Sequence, residues 1–189
     1  MSFSTSNRSL VVQTLGSSIL HNSSSYVVQM TLTTYDEELC KILEPNVCTT
    51  RERFEVLKLM AQEQIPTVVW MSPLLPFIND TRENVEGILD YCIQANVYGI
   101  LCFGIGMTLR QGNREYYYAA LDRHFPGLKE KYQRKYGHAY EVASDNHREL
   151  MQMFHEKCRA NGIVSNVDEL FRYFHEFPEQ KGYEQLSLF

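Results

Sequence analysis

The chain has 189 residues, enough for one domain with an appendage, and a hydrophobic content of 44% can fill a core of that size. Its net charge of -5 argues against wrapping a polyanion, because nucleic-acid affinity rests largely on Lys and Arg neutralising phosphates. The chain has no membrane-length apolar run, no secretory signal, and five scattered cysteines. We therefore expect a soluble, cytoplasmic protein with reduced thiols.

Residues 1–25 are rich in Ser and Asn around a short apolar stretch, which predicts a weakly ordered leader. From Tyr26 onward the pattern changes to YVVQMTLTT, where apolar and polar residues alternate. This alternation predicts a strand with Val28, Met30 and Leu32 on an apolar face and Gln29, Thr31 and Thr33 on a polar face.

The next segment, TYDEELCKILEP, predicts a short helix stopped by Pro45. Thr49 and Glu52 have the spacing of a capping box, and the apolar stripe that follows predicts a second helix ending near Gln64. The run TVVWM is too short for a helix and rich in β-branched residues, so it predicts a buried strand.

A Pro-rich loop, SPLLPFIND, comes next, and Asp80 with Glu83 predicts another helix start. The segment VYGILCFG then predicts a third strand. Strands that alternate with helices of about a dozen residues favour parallel βαβ units. After Gly112 the pattern predicts helices alone, with Gly137 and Gly162 at expected helix ends.

Three stretches together resemble a known family: VVQMTLTTYDEELCKILEPN, IPTVVWMSPLLPFIND, and VYGILCFGIGMTLR leading into HFPGLKEKY. They look like the later half of radical S-adenosylmethionine (SAM) enzymes related to spore photoproduct lyase, also called DNA repair photolyase-like proteins. In that family the strand ending in Ser or Thr, the Glu-Pro after a short helix, and the loop ending in Asn-Asp occur in this order. The resemblance covers roughly residues 26–160.

The resemblance implies an α/β fold, since the family is built as a six-stranded partial (β/α) barrel. The three strands here would be the fourth, fifth and sixth, and a helical C-terminal extension would follow. The implied organisation is a Ser-rich leader at 1–25, a partial (β/α) barrel at 26–125, a helical extension at 126–182 and a flexible tail peptide at 183–189.

Family chemistry uses a [4Fe-4S] cluster, held by a C-x-x-x-C-x-x-C loop, to cleave SAM reductively to a 5′-deoxyadenosyl radical, in some members for DNA lesion repair. No pair of cysteines in this chain has that spacing, and Cys40 and Cys48 are eight residues apart. SAM and the cluster are thus implied as cofactors, whereas the cluster ligands are absent from this chain. We expect a truncated or split lyase-like enzyme that is inactive alone, with its N-terminal half supplied by another chain.

Thr31 and Thr33 match the strand-end Ser or Thr that, in this family, helps to hold SAM. The resemblance therefore implies that these two residues are cofactor-binding. The alternative is structural, because Thr is a good β-strand former in any sheet. No residue of this chain is assigned a catalytic or metal-binding role.

The last five residues, QLSLF, resemble the short peptide by which bacterial repair and replication proteins dock on the sliding clamp. Two apolar anchors would enter a hydrophobic groove while a glutamine hydrogen-bonds at its edge. This implies a second hypothesis, a non-catalytic binding module. The alternative is that the tail packs on the chain's own helices. The implied partner-binding residues are Gln185, Leu186, Ser187, Leu188 and Phe189.

The run Tyr116–Tyr118, near Arg110 and Arg114, could stack on bases, as aromatic and Arg side chains do in single-strand binders, or could line a substrate pocket. The favoured alternative is helix surface plus core. A zinc site is not expected, because the candidate histidines show no i, i+4 pair on one helix and no nearby cysteine pair. These histidines are His124, His138, His147, His155 and His175.

Overall fold

A computed structural model of the protein describes residues 26–175. Its central feature is a parallel three-stranded sheet in the order β1, β2, β3, so the strands lie side by side in chain order. The predicted α/β class and the three predicted strands are confirmed. Within the described residues the sheet does not close into a barrel. The strands are β1 (Val28–Thr31), β2 (Thr67–Trp70) and β3 (Gly99–Leu101).

The connections between these strands are helical, as predicted. They contain α1 (Glu37–Leu43), α2 (Thr50–Gln62) and α3 (Arg82–Gln94). The capping box of α2 is confirmed, with Thr49 Oγ1 accepting from the Glu52 amide and the Glu52 carboxylate accepting from the Thr49 amide.

The predicted start of α3 is wrong by one residue. Thr81 is the N-cap, and its hydroxyl accepts from the Asn84 amide. Asp80 instead accepts a hydrogen bond from the Ser144 hydroxyl at 2.5 Å. A contact between residues so far apart in the chain cannot be read from a local capping pattern.

The C-terminal part, as far as residue 175, contains four helices and a second, antiparallel sheet. Strand β4 (Gly106–Thr108) pairs with β5 (Glu141–Ala143), so the expectation of helices alone after Gly112 is wrong at this point. Three-residue strands are too short to display a period in the sequence, and this pair spans a long stretch of chain. The helices are α4 (Asn113–His124), α5 (Leu128–Tyr136), α6 (His147–Ala160) and α7 (Val167–His175).

The main core lies between the parallel sheet and one layer of helices formed by α2, α3 and α6. Its buried side chains come from the strands, from the crossover helices α2 and α3, and from α6, which packs against α3. Burying each large apolar side chain contributes about 1.5–3 kcal/mol. Representative members are Leu32, Leu57, Val69, Ile88, Ile100 and Phe154.

The opposite face of the sheet, called the open face below, carries Gln29, Thr31, Val68, Trp70 and Leu101. Helix α7 covers only its β2–β3 side, where Leu170 is fully buried against Val68 and Leu101. Gly99 permits this approach, because a Cβ atom there would lie 2.4 Å from Leu170 Cδ2. On the β1 side of this face, Gln29 and Thr31 are exposed.

A smaller core joins α4, α5 and the β4–β5 sheet. Tyr132 is fully buried in it, and its hydroxyl donates to the Pro76 carbonyl at 2.6 Å, which ties this unit to the loop after β2. Across residues 26–175, each helix is too short or too polar to cross a membrane.

Candidate functional site at the carboxyl ends of the strands

Parallel βα folds place their ligands beyond the carboxyl ends of the strands, and both predicted cofactor-binding residues lie at this end of β1. Thr31 is the last residue of β1 and its side chain is exposed on the open face. Thr33 lies two residues beyond the strand and is only 7% exposed. Because β1 ends at Thr31, the two residues do not share the polar face that their alternation predicted.

The Thr33 hydroxyl donates to Glu44 Oε1 at 2.9 Å. The other oxygen of Glu44 forms an ion pair with Arg53, which reaches in from α2. Arg53 also donates to the Thr31 carbonyl at 2.9 Å. Glu44, the Glu of the Glu-Pro pair, therefore holds the end of β1 in place through the Thr33 hydroxyl and the Arg53 guanidinium.

Two asparagine side chains hold the same turn from the β2 side. Asn79 and Asn84 both donate to the Thr33 carbonyl, at 3.0 and 2.9 Å. The Asn79 side-chain carbonyl accepts from the Leu75 amide, and that of Asn84 accepts from the Tyr35 amide at 2.6 Å. Buried amides whose donors and acceptors are all used keep a single orientation, so this network is rigid.

Sequence reasoning noted Asn79 only as part of a loop motif and missed Asn84. The available signal was the position of Asn84 three residues after an N-cap threonine, where a polar side chain faces the preceding loop.

An aromatic pair forms the exposed part of the site. Trp70 and Phe103 have ring centroids 5.8 Å apart, and Phe103 is 59% exposed. The Trp70 Nε1–H donates to Gln29 Oε1 at 2.8 Å, and the Phe103 amide donates to the Ser72 hydroxyl at 3.3 Å. No sequence pattern indicates this pair, because the contact joins two different strand ends.

The cysteines do not fit an iron–sulfur cluster. All five thiols are free, and four of them are buried. Burial raises the pKa of Cys92 and of Cys102, and it raises the pKa of Cys158 to about 12. Cluster iron binds thiolates, so these protonated, enclosed groups are poor ligands. Within residues 26–175, no group of three or more His, Cys, Asp or Glu side chains is placed to hold a metal ion.

The side chains at the carboxyl ends of the strands fit SAM in part. Thr31 offers an exposed hydroxyl beside the aromatic pair, whereas Thr33 has already donated its proton to Glu44 and could only accept. Trp70 and Phe103 offer apolar faces on which an adenine ring could stack.

The tyrosine run favours the structural alternative. Tyr118 is buried, the Tyr117 hydroxyl donates to the Tyr132 hydroxyl at 2.9 Å, and Tyr116 is 79% exposed. Arg114 donates to a series of backbone carbonyls, and Arg110 donates to the Tyr140 hydroxyl. One tyrosine of the three is therefore accessible.

The five candidate histidines are all exposed. The clamp-like residues Gln185–Phe189 and the leader 1–25 lie outside the described residues. No known family model, curated protein or solved structure matches this chain.

Proposed function

We propose that this chain acts as the later half of a radical SAM enzyme of the spore photoproduct lyase type. It would supply part of the SAM-binding surface and could not form the 5′-deoxyadenosyl radical alone. The iron–sulfur cluster and the first three βα units would come from a second polypeptide.

The observation that carries this proposal is the order of the strands. Each strand of the parallel sheet neighbours the one before it in the chain, and both crossovers place their helices on one face. A doubly wound fold reverses its strand order and puts helices on both faces, whereas a (β/α) barrel adds strands in sequence under one outer layer. The strand order and the two crossovers agree with an arc of a (β/α) barrel, whereas α7 packs on the β2–β3 side of the opposite face and stands outside that arrangement.

The side chains at the strand ends agree with this proposal. Thr31, Trp70 and Phe103 come from three successive strand ends and face the side where a barrel encloses its ligand. The buried network behind them, centred on Glu44 and Asn79, holds the first of these ends in place. A bound cluster would supply the electron for reductive cleavage of SAM. This chain's residues would position the cofactor beside it.

Anaerobic reconstitution with iron and sulfide tests the proposal. The full chain alone should take up substoichiometric iron and should not convert SAM to methionine and 5′-deoxyadenosine under reduction. Mixing it with the N-terminal half of an intact photoproduct lyase-like protein, which carries C-x-x-x-C-x-x-C, should restore cleavage. A stable brown cluster or SAM cleavage by the chain alone would contradict the proposal.

A second candidate function rests on residues Gln185–Phe189. We propose that this pentapeptide binds the bacterial sliding clamp, with Leu186 and the Leu188–Phe189 pair as the apolar anchors. Each buried anchor could contribute about 1.5–3 kcal/mol before the ordering cost of the peptide, which makes micromolar affinity attainable.

Titration calorimetry with a peptide ending in EQLSLF tests this candidate. The peptide should bind a purified bacterial clamp, and Phe189→Ala should abolish the heat because an anchor is lost. Glu184→Ala is the matched control, since Glu184 precedes the pentapeptide and its replacement removes none of the anchors. Absence of heat at millimolar peptide would end this candidate.

A further inference from the structure

Two sulfur atoms lie in contact beside the candidate site. Cys102 directly follows β3, and its thiol is 3.8 Å from the thioether sulfur of Met151 on α6. Cys102 is 5% exposed, whereas Met151 is half-buried and packs against the main core. A thiol and a thioether at this separation are a pair of soft ligands, which prefer soft metal ions.

An imidazole lies close to the sulfur pair. His147 is one helical turn before Met151 on α6, so the two side chains are neighbours on that helix. The His147 ring lies over Gly104, whose carbonyl is 3.9 Å from the Cys102 sulfur. A Cβ atom at Gly104 would come within 2.8 Å of the ring, so glycine at this position lets the imidazole approach the loop after β3.

The His147 ring can present a free nitrogen. Its Nδ1 atom lies 3.2 Å from the Ile105 amide and 3.4 Å from the Ile105 carbonyl, so the backbone accommodates either tautomer. When Nδ1 carries the proton and donates to that carbonyl, the Nε2 lone pair is available. Metal-binding histidines are commonly held in this way. His147 is exposed, which gives an ion a route from solvent.

We propose that Cys102, Met151 and His147 form a binding site for a soft monovalent metal ion, Cu(I) in particular. Two metal–sulfur bonds of about 2.3 Å whose sulfurs are 3.8 Å apart enclose an angle of about 110°, which suits one shared ion. Thiolate, thioether and imidazole are all ligands of copper. The thiol proton leaves to solvent as the ion binds. This site does not depend on the proposed function.

Charge favours Cu(I) over Zn²⁺ at this position. Cys102 supplies one negative charge, and the other two ligands are neutral, so Cu(I) gives a neutral complex. Zn²⁺ would leave a net positive charge beside the core, and a bare thiolate a net negative one, and both are costly to bury. Among residues 26–175, no carboxylate completes a group of three with this cysteine and histidine to offset the second charge of zinc.

Anaerobic competition between the full 189-residue chain and a chromophoric Cu(I) chelator tests the site. The unchanged chain should take up one equivalent of Cu(I). Cys102→Ser should weaken the binding by about 100-fold or more, and Met151→Leu and His147→Ala by about tenfold each. Met151→Leu nearly conserves the volume and apolar character of the side chain, so the fold should persist.

Met153→Leu is the matched control on the same helix, because Met153 is buried and its sulfur contacts Arg82 instead. Cys48→Ser is the control for a more accessible thiol, since Cys48 is only half-buried. Neither control should change the affinity for Cu(I). Circular dichroism checks that each variant is folded.

Cu(I) affinity that Cys102→Ser and Met151→Leu leave unchanged, or that Cys48→Ser abolishes, would overturn the site. Equal losses in Met151→Leu and Met153→Leu would also overturn it, because the effect would then be one of packing. Displacement of Cu(I) by an equal concentration of Zn²⁺ would overturn the choice of ion. X-ray absorption of the Cu(I)-loaded chain should show two sulfur ligands and one nitrogen ligand, and sulfur alone would contradict the role of His147.

Discussion

Arg53 shows how much of the candidate site depends on one long side chain. It is 8% exposed, pairs with Glu44 and donates to the Thr31 carbonyl. Replacing it would leave a half-buried carboxylate and a backbone carbonyl without their donor. The loss of such a donor is costly because the remaining groups stay desolvated.

We therefore predict that Arg53→Met lowers the free energy of unfolding by about 2–3 kcal/mol, measured by urea denaturation. Arg51→Met is the control on the same helix, because Arg51 is half exposed and its ion pair with Glu55 is 3.4 Å long. That variant should lose less than about 1 kcal/mol. Equal losses in the two variants would show that the Arg53 network adds nothing.

The buried thiols give a prediction on pH. Burial raises the pKa of Cys158 from 9.0 to about 12, so the folded chain keeps this proton at a pH where the unfolded chain releases it. The contribution to stability is complete below pH 9 and is lost as the pH rises toward 12. Unfolding free energy measured across this window should fall less steeply in Cys158→Ala than in the unchanged chain. Parallel curves would contradict the assignment.

At the scale of single elements, α7 is the helix whose attachment is easiest to test. Leu170 is fully buried against the sheet, Tyr173 stacks on Tyr98 with centroids 4.0 Å apart, and Phe171 is 38% exposed. We predict that Leu170→Ala costs about 2–4 kcal/mol through the cavity it leaves. Phe171→Ala on the same helix should cost less than about 1 kcal/mol.

Hydrogen exchange locates the effect. Leu170→Ala should speed exchange across Val167–His175, while the amides of α3 stay protected because the main core does not use α7. If exchange rose equally in α3, the helix would belong to the main cooperative unit, contrary to this prediction.

Elements with a strong period were predictable from sequence. The alternation from Val28 to Thr31, the apolar runs of β2 and β3, and the capping box of α2 are local patterns, and the structure confirms them. Strands β4 and β5 were not predictable, because each has three residues and is defined by its distant partner. The start of α3 was misplaced for a similar reason, since Asp80 is engaged by Ser144.

At the scale of the whole molecule, the sequence predicted the α/β class and predicted that Thr31 and Thr33 lie at one strand end. It did not predict that the two residues have different environments. Thr33 does not lie on the polar face of β1, because Glu44, Asn79 and Asn84 hold it in a buried turn. Asn84 and the Trp70–Phe103 pair reach the site from other strands and helices. Side chains assembled from several elements leave no spacing in the sequence by which to recognise them.

The charge of the whole molecule leads to a last prediction. The net charge is -5, and several cations of α4 and α5 are already engaged: Lys129 with Asp122, Lys135 with Asp145 and Arg114 with backbone carbonyls. We expect the full chain to show no saturable binding to a fluorescent single-stranded oligonucleotide at physiological salt, up to about 10 µM protein. Saturable binding that Tyr116→Ala abolished would contradict this expectation, because a stacked base would then outweigh the unfavourable charge.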